Sequence, residues 1–514
     1  MPLLIGAILS ALPLIFPQLG VLQWVLMIPM IAGAFALCRK PDCSLHTAYG
    51  YGFLTVYVFY VLMYHWFVNL YSLDFVGMDN ASSAVVIAAG VLGLPILQAV
   101  LGGFVFLFFR LIERSGIFEK APLLRPFVFA SLWVVFEWAS TIGWTGVPWG
   151  RLALGQVECL PVLQSASLFG SYFVSWLLLI VNGLLAFFFV YKKREVLCAS
   201  LALSLFLANA AWGLIAQNTE PEGKDTLRVA VIQGNINSHE KWGEDSFEIT
   251  RNTYGALTRR AAAEGARLVV WPETAFPSVL TKNSINGRFV SELARSTGVT
   301  LIVGALKVEE ENDYNALYLI DPEGNFYDGF YAKRHLVPFG EYVPMRDVIM
   351  TLIPPLANLS ALGDDLSPGE DAALFVTEEM TLGSLICFDS IYEELSLDSV
   401  RASAELMLIS SNDSWFYDSA AVYQHQAQAQ LRAVETGRDF VRAANTGISS
   451  VISADGSILA WIDPLEQGYA VADVELRQNT TLYTVIGNLF VYLCAIFSAL
   501  LVLLSLFIKR RSLR

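Results

Sequence analysis

Charge is what this 514-residue chain has least of: 16% of its residues are charged, against 55% hydrophobic. With a mean hydropathy of +0.52, that composition excludes an ordinary soluble protein and fits a chain that crosses a membrane several times. Base is the scarcer sign, and a formal net charge of −14 gives no footprint for a nucleic-acid partner. Histidine is rare, five in all, and no paired carboxylate–histidine spacing points to a metal. Six cysteines occur: Cys38, Cys43, Cys159, Cys198, Cys387 and Cys494. Five lie in or beside apolar runs. Cys387 is alone in the polar middle of the chain, which excludes an internal disulfide there and leaves an unpaired thiol to be explained.

The shortage of charge is confined to the flanks. Residues 1–215 and 483–508 are dominated by nearly charge-free runs, whereas 216–482 reads as a globular domain. A span needs about 20 apolar residues, and candidate spans lie near 3–16, 20–37, 49–70, 83–109, 123–140, 165–190, 196–215 and 483–508. The expectation is therefore a seven-helix membrane domain over 1–215, an α/β domain over 226–475, and one last membrane helix over 483–508, eight helices in all. The first run resembles a signal peptide in length, but it lacks a basic leader and another span follows at once. With the N-terminus inside, the inner loops hold Arg39, Lys40, Arg110, Arg114, Lys120, Arg125, Lys192, Lys193 and Arg194, and the tail holds Lys509, Arg510, Arg511 and Arg514. The outer loops hold Asp74, Asp79 and a single base, Arg151. The positive-inside rule then puts the middle domain outside the cytoplasm.

Within that domain, strands are expected at Leu227–Gln233, Leu268–Trp271, Leu301–Leu306, Asn315–Ile320, Leu382–Cys387, Leu406–Ser410, Phe440–Ala444 and Gly447–Ser453. Helices are expected at Ser246–Glu264, Ile285–Thr297, Ile391–Ser403 and Tyr423–Thr436. This alternation indicates an α/β domain, and runs such as Leu-Val-Val-Trp indicate strands covered on both faces. Three apolar runs end on a reactive side chain: Leu268-Val-Val-Trp-Pro-Glu273, Gly329-Phe-Tyr-Ala-Lys333 and Leu382-Gly-Ser-Leu-Ile-Cys387. Strand C-termini are where α/β sheets present their sites. A free thiol is only a few per cent ionised near neutrality, so Cys387 needs a base. Glu273 can take the proton, and Lys333 can stabilise an oxyanion with backbone N–H groups after the cysteine.

Trp271-Pro-Glu273, Lys333 followed by His335-Leu-Val-Pro-Phe-Gly-Glu341-Tyr-Val-Pro344, and Ile386-Cys387 followed by Glu393 resemble the nitrilase superfamily. More narrowly, the chain resembles the apolipoprotein N-acyltransferase family. The resemblance includes Ser411-Asn-Asp-Ser-Trp-Phe416, Gln424-His425, Asn445-Thr-Gly-Ile-Ser449, Val231-Ile-Gln-Gly-Asn-Ile236 with Trp242, and Thr145-Gly-Val-Pro-Trp149 among the spans. It implies a four-layer αββα sandwich carrying a Glu-Lys-Cys triad: Glu273 as base, Lys333 as oxyanion stabiliser, Cys387 as nucleophile. Glu341 is expected to hold Lys333 charged and oriented.

The family's usual Cys-Tyr-Glu is Cys387-Phe388-Asp389 here, a departure that removes a hydroxyl and one methylene. Trp242, Tyr342, Trp415 and Phe416 are candidates to line an acyl-chain path, with core packing as the plain alternative. The implied reaction is ping-pong transfer of a fatty acyl chain, without a cofactor. It runs from a phospholipid, through a thioester on Cys387, to the α-amine of the N-terminal S-diacylglyceryl-cysteine of an apolipoprotein. The implied setting is the bacterial inner membrane, with the catalytic domain extracytoplasmic and the chain monomeric. A membrane-anchored amidase that gives its thioester to water is the rival. Met345–Pro368, without clear periodicity, is the candidate lid.

Overall fold

The computed structural model describes residues 1–73, 78–192, 195–219, 223–237, 241, 246–310, 312–352 and 365–512. Two compact units emerge, one of residues 1–68, 85–220 and 481–514, the other of residues 69–84 and 221–480.

The first unit is helical. Its principal helices are α1 (Pro2–Ile15), α2 (Ile28–Arg39), α3 (Leu45–Met63), α4 (Leu94–Arg114), α5 (Leu124–Ala139), α6 (Ser171–Tyr191), α7 (Glu195–Asn218) and, from the end of the chain, α12 (Leu489–Ser512). Among the described residues, five helical stretches are long and apolar enough to cross a membrane: Pro17–Arg39, Asn80–Arg114, Ser171–Tyr191, Glu195–Asn218 and Leu489–Ile508. The segments expected near 3–16, 49–70 and 123–140 fall outside that set. α1 has 14 residues and α5 has 16, below the typical span of about 20. α3 ends at Met63, and a 3₁₀ turn, His65–Leu70, takes over. α3 and α4 approach closely because Gly52 faces Phe106 while Gly102 and Gly103 face Val56 and Tyr49. Small residues at such crossings let helix backbones meet where no hydrophobic force favours association.

The second unit is built on two sheets. The first runs β13 (Gly468–Leu476), β1 (Asp225–Gln233), β2 (Leu268–Val270), β4 (Thr300–Glu309), β5 (Asn312–Ile320), β6 (Tyr331–Ala332), and β3 (Phe276–Val279) also pairs with β4. The second runs β12 (Ile458–Ile462), β11 (Ser449–Ile452), β10 (Phe440–Ala444), β9 (Leu406–Ser411), β8 (Thr381–Ile386), β7 (Phe375–Val376). Strand alternation sends Val229, Val231, Leu268 and Val270 into a core shared with Leu382, Ile386, Leu406 and Val441 of the other sheet. Ala230, Ile232, Val269 and Trp271 face the opposite way, onto Tyr254, Leu257, Val290 and Leu293 of helices α8 (Ser246–Ala263) and α9 (Ile285–Thr297). Helices α10 (Glu393–Arg401) and α11 (Ala420–Thr436) pack on β8 and β10. The layers are therefore αββα, as the resemblance implies. α9 has the bounds expected from sequence: Ser284 caps it by accepting from the Gly287 N–H at 3.0 Å, and Gly298 ends it at φ +68°.

Candidate active site

The cysteine sits on a strained corner. The strand expected to include Cys387 stops at Ile386, and Cys387 opens a 3₁₀ turn, Cys387–Ile391, at φ +49°. A non-glycine residue in the left-handed region costs about 1–3 kcal/mol and persists only where its surroundings fix it. Three groups fix it here. The Asp389 carboxylate accepts from the Ile386 N–H at 3.0 Å. The Ser390 hydroxyl donates to the Cys387 carbonyl at 2.7 Å. His425 Nε2 lies 3.2 Å from the same carbonyl. The half-buried thiol that results is pushed up from its ordinary pKa by burial, then by Glu273 and Asp413, against the opposing pull of Lys333 and Ser411. It is thus even less ionised at rest than a free cysteine, and any reaction through the thiolate needs a base.

Glu273 stands on a second such corner. β2 ends at Val270, and Thr274, at φ +43°, turns the chain after Trp271-Pro272-Glu273. Lys241, buried, donates to the Glu273 carbonyl at 3.1 Å and to the Thr274 hydroxyl at 2.7 Å. The Ser410 hydroxyl of β9 donates to the Trp271 carbonyl at 2.9 Å, tying the corner to the other sheet. Burial lowers the Lys241 pKa to about 8, while Glu273 and Cys387 pull it upward.

Lys333 follows β6 and is 1% exposed. Its Nζ lies 3.0 Å from Glu273 Oε1 and 2.9 Å from Glu341 Oε1. Burial opposes its charge, but the two carboxylates outweigh burial and hold it well above the ordinary lysine range. Asn315 Nδ2 bridges the same two oxygens, at 2.7 Å from Glu273 and 3.0 Å from Glu341. The second Glu341 oxygen accepts from the Val337 N–H at 2.8 Å. Both bonds to the Glu273 carboxylate go to Oε1, so among the described residues Oε2 is left with no hydrogen-bond donor.

Asp389 links the cysteine corner to the lysine strand. Besides the Ile386 N–H, it accepts from the His335 N–H at 2.7 Å, the Arg334 N–H at 3.2 Å and the Tyr331 hydroxyl at 2.9 Å. Burial raises its pKa to about 6, with His335, Lys333, Ile386 and Tyr331 pulling the other way. An aspartate therefore spans both segments without the family's extra methylene. Tyr331 supplies a hydroxyl from β6, whereas the family's tyrosine would stand at position 388 in the turn after β8. Phe388 itself is half-buried and packs its ring edge-on against Tyr392 at 5.4 Å.

Cys387, Asp413 and His425 bring their ligand-type atoms within 4.8 Å of one another. The set does not suit a cation. Asp413 is bonded to Arg442 at 2.7 Å, to His425 at 3.0 Å and to Ser411 at 2.8 Å. Burial would raise its pKa, but His425 and Arg442 hold the carboxyl well below the usual range. The neighbouring guanidinium already supplies the charge that a metal would bring.

The acyl-path candidates are less gathered. Trp415 and Phe416 lie half-buried on the turn after β9, with the Phe416 N–H donating to the Asp413 carbonyl at 3.0 Å. Tyr342 is half-buried in the 338–342 turn. Trp242 lies outside the described residues, as do 353–364 of the candidate lid. At the ends of that segment Arg346 Nε donates to Asp365 at 2.9 Å, and Met345 and Val348 are exposed. Lys241 and Asn315 went unassigned from sequence. Asn315 carries a recognisable signal, a lone amide among the apolar residues of Asn-Ala-Leu-Tyr-Leu-Ile. Lys241 carries none.

Comparison with known proteins places the site in context. The family described as apolipoprotein N-acyltransferase N-terminal domain matches residues 6–184, and the carbon-nitrogen hydrolase family matches residues 228–482. The apolipoprotein N-acyltransferase of Geobacter metallireducens is 31% identical over 520 residues, covering 99% of this chain and 95% of its own length. That of Gloeobacter violaceus is 32% identical over 502 residues, covering 96% and 90%. Among solved structures, an amidase from Nesterenkonia sp. is 20% identical, covers 49% of this chain and 91% of its own, and has a TM-score of 0.38.

Proposed function

Because this chain belongs to the apolipoprotein N-acyltransferase family, we propose that it moves a fatty acyl chain from a phospholipid to the α-amine of an S-diacylglyceryl-cysteine on lipoproteins, by way of a Cys387 thioester. The observation that carries the residue assignment is the Lys333 ammonium bonded to Glu273 and Glu341 at 3.0 and 2.9 Å. This ion cluster is electrostatically coupled to the cysteine on its strained corner.

Glu273 takes the thiol proton on its unbonded oxygen as Sγ attacks the ester carbonyl of the lipid. Lys333 and the Phe388 N–H hold the oxyanion that forms. When the tetrahedral intermediate collapses, the proton on Glu273 passes to the leaving lysophospholipid oxygen and the thioester remains. The lipoprotein amine then attacks the thioester, its proton goes to Glu273, and the Cys387 sulfur leaves and is reprotonated. Glu341 and Asn315 orient the ammonium. Trp242, Tyr342, Trp415 and Phe416 are assigned to the acyl path, and Met345–Pro368 to a lid that keeps water from the thioester.

The setting belongs to the same reading. Eight helices cross the bacterial inner membrane, seven of them within 1–215 and one over 483–508. The catalytic domain, 226–475, lies on the extracytoplasmic side, and the protein is a monomer. The distribution of basic residues supports this orientation. Incubation of the purified chain with phospholipid should add an acyl mass to the Cys387 peptide. A diacylated lipopeptide should then discharge it to give a triacylated product, and Cys387→Ala should abolish both events. Free fatty acid as the sole product, with no triacylated peptide, would favour the amidase-type rival.

A further inference from the structure

A cavity of about 640 Å³ opens in the helical unit where the ends of α2, α4 and α6 meet the start of α5, far in sequence from the cysteine site. Its walls carry Arg39, Arg110, Arg114 and Arg125 against two carboxylates, Glu113 and Glu119. We infer that it is a binding site for a phosphate-bearing anion of the kind found in phospholipid headgroups.

Two of the arginines are committed. Arg110 is buried and donates to the carbonyls of Cys38, Pro41 and Cys43 at 2.5, 3.2 and 2.8 Å. Arg125 makes a forked pair with Glu113 at 2.6 and 2.9 Å. Arg39 and Arg114 are exposed and meet no carboxylate among the described residues. Between the two groups stands Tyr191. Its ring draws the guanidiniums of Arg39 and Arg125 to 5.4 and 4.5 Å from its centroid. Its hydroxyl is buried and has no hydrogen-bond partner among the described residues. A buried hydroxyl without a partner costs about 1–3 kcal/mol, and the guanidiniums of Arg39, Arg110, Arg114 and Arg125 around one cavity, against the carboxylates of Glu113 and Glu119, leave positive charge in excess. A phosphate resolves both faults, because its oxygens accept from the phenol and from paired guanidinium N–H groups. Ile508 of α12 adds an apolar wall suited to the start of an acyl chain.

The plain alternative is that these arginines only fix orientation in the membrane. Native mass spectrometry of the full chain with equal amounts of phosphatidylglycerol and phosphatidylcholine separates the two. The site predicts preferential retention of phosphatidylglycerol. That preference should fall by about tenfold in Arg39→Gln/Arg114→Gln, as expected for loss of charged hydrogen bonds. It should fall by about threefold in Tyr191→Phe, a one-atom change that leaves the fold intact. Lipid held at the cysteine site is common to all three proteins and cancels in the comparison. Millimolar inorganic phosphate that displaces the lipid assigns a free phosphate ligand as well, and its failure to do so assigns the headgroup alone. Equal retention of both lipids, or retention unchanged in both variants, overturns the proposal. Neither result bears on acyl transfer, which is read separately as acylation of Cys387.

Discussion

In the proposed reaction a lone glutamate and a lone lysine divide the work of activating one thiol, and their surroundings decide which does what. Lys333 is held charged by two carboxylates, so it cannot serve as the base. Glu273 shares one oxygen with Lys333 and Asn315 and keeps the other for a proton. Since burial pushes the thiol up, deprotonation by solvent is slow at neutrality. Glu273→Gln should therefore slow Cys387 acylation by about 10²–10⁴-fold, and the residual rate should climb with pH as hydroxide replaces the missing base. Stopped acylation time courses followed by intact-protein mass spectrometry between pH 6 and about 9 give that profile. Lys241 adds a second titration. Its folded pKa is lowered to about 8, so its charge is present below that pH and lost above it. While present, the charge favours the thiolate of Cys387. The wild-type rate should decline above about pH 8, and Lys241→Met should lose this decline together with part of its rate at neutral pH. An unaltered alkaline limb in Lys241→Met would show that the lysine only buttresses the Glu273–Thr274 turn.

At the scale of elements, the candidate site is three strand ends, those of β2, β6 and β8, brought to one place by two facing sheets. Gly304 of β4 shows how tightly this is done. A methyl group there would meet the Pro272 carbonyl, the Glu273 Cα and the Thr274 N–H, all backbone. Gly304→Ala should displace the Glu273 corner, cutting acylation by about tenfold or more, since misplacement by an ångström costs up to about 10²-fold. The same change should destabilise the domain by about 1–3 kcal/mol. Circular dichroism melts beside acylation rates test whether the loss of rate exceeds the loss of folded protein.

Elements of this kind were readable to unequal degrees. α9 was legible to the residue because Ser284 and Gly298 mark its two ends by hydrogen-bond chemistry. β3 was not, because Phe-Pro-Ser-Val contains a proline and borrows its pairing from β4 alone. Glu273, Lys333 and Cys387 stood out because apolar strands ran into them. Asn315 and Lys241 did not, because one polar residue in a strand or loop takes its meaning from partners far along the chain. Cys387 was assigned to the strand for a related reason: its left-handed backbone is imposed by Asp389, Ser390 and His425, not by its own preference.

Across the whole molecule, scarcity of charge concentrates polarity into a few buried networks, and these define the helical unit as the ion cluster defines the α/β unit. In the helical unit Gln156 is the hub. Its Nε2 donates to Gln23 Oε1 at 2.5 Å and to the Gly20 carbonyl at 2.9 Å, and its Oε1 accepts from Trp24 Nε1 at 2.9 Å. Asn182 extends the network from α6, donating to the Gln23 carbonyl at 3.0 Å and accepting from the Met27 N–H at 3.1 Å. Gln23, Gln156 and Asn182 are fully buried, so water does not replace these bonds, yet interhelical hydrogen bonds in membranes average only about 0.6 kcal/mol, with a maximum near 1.7. Three bonds lost together in Gln156→Leu should thus cost about 2–4 kcal/mol, more than any one bond, because Gln23 Oε1 and Trp24 Nε1 are left buried without partners, while Gln23 Nε2 keeps the Leu152 carbonyl at 3.0 Å. The measurement is the thermal midpoint of the detergent-purified chain, beside that of Gln23→Leu/Gln156→Leu. If the cost comes from orphaned groups, removing both glutamines together should restore part of the loss. If it comes from the bonds alone, the double variant should be the less stable of the two.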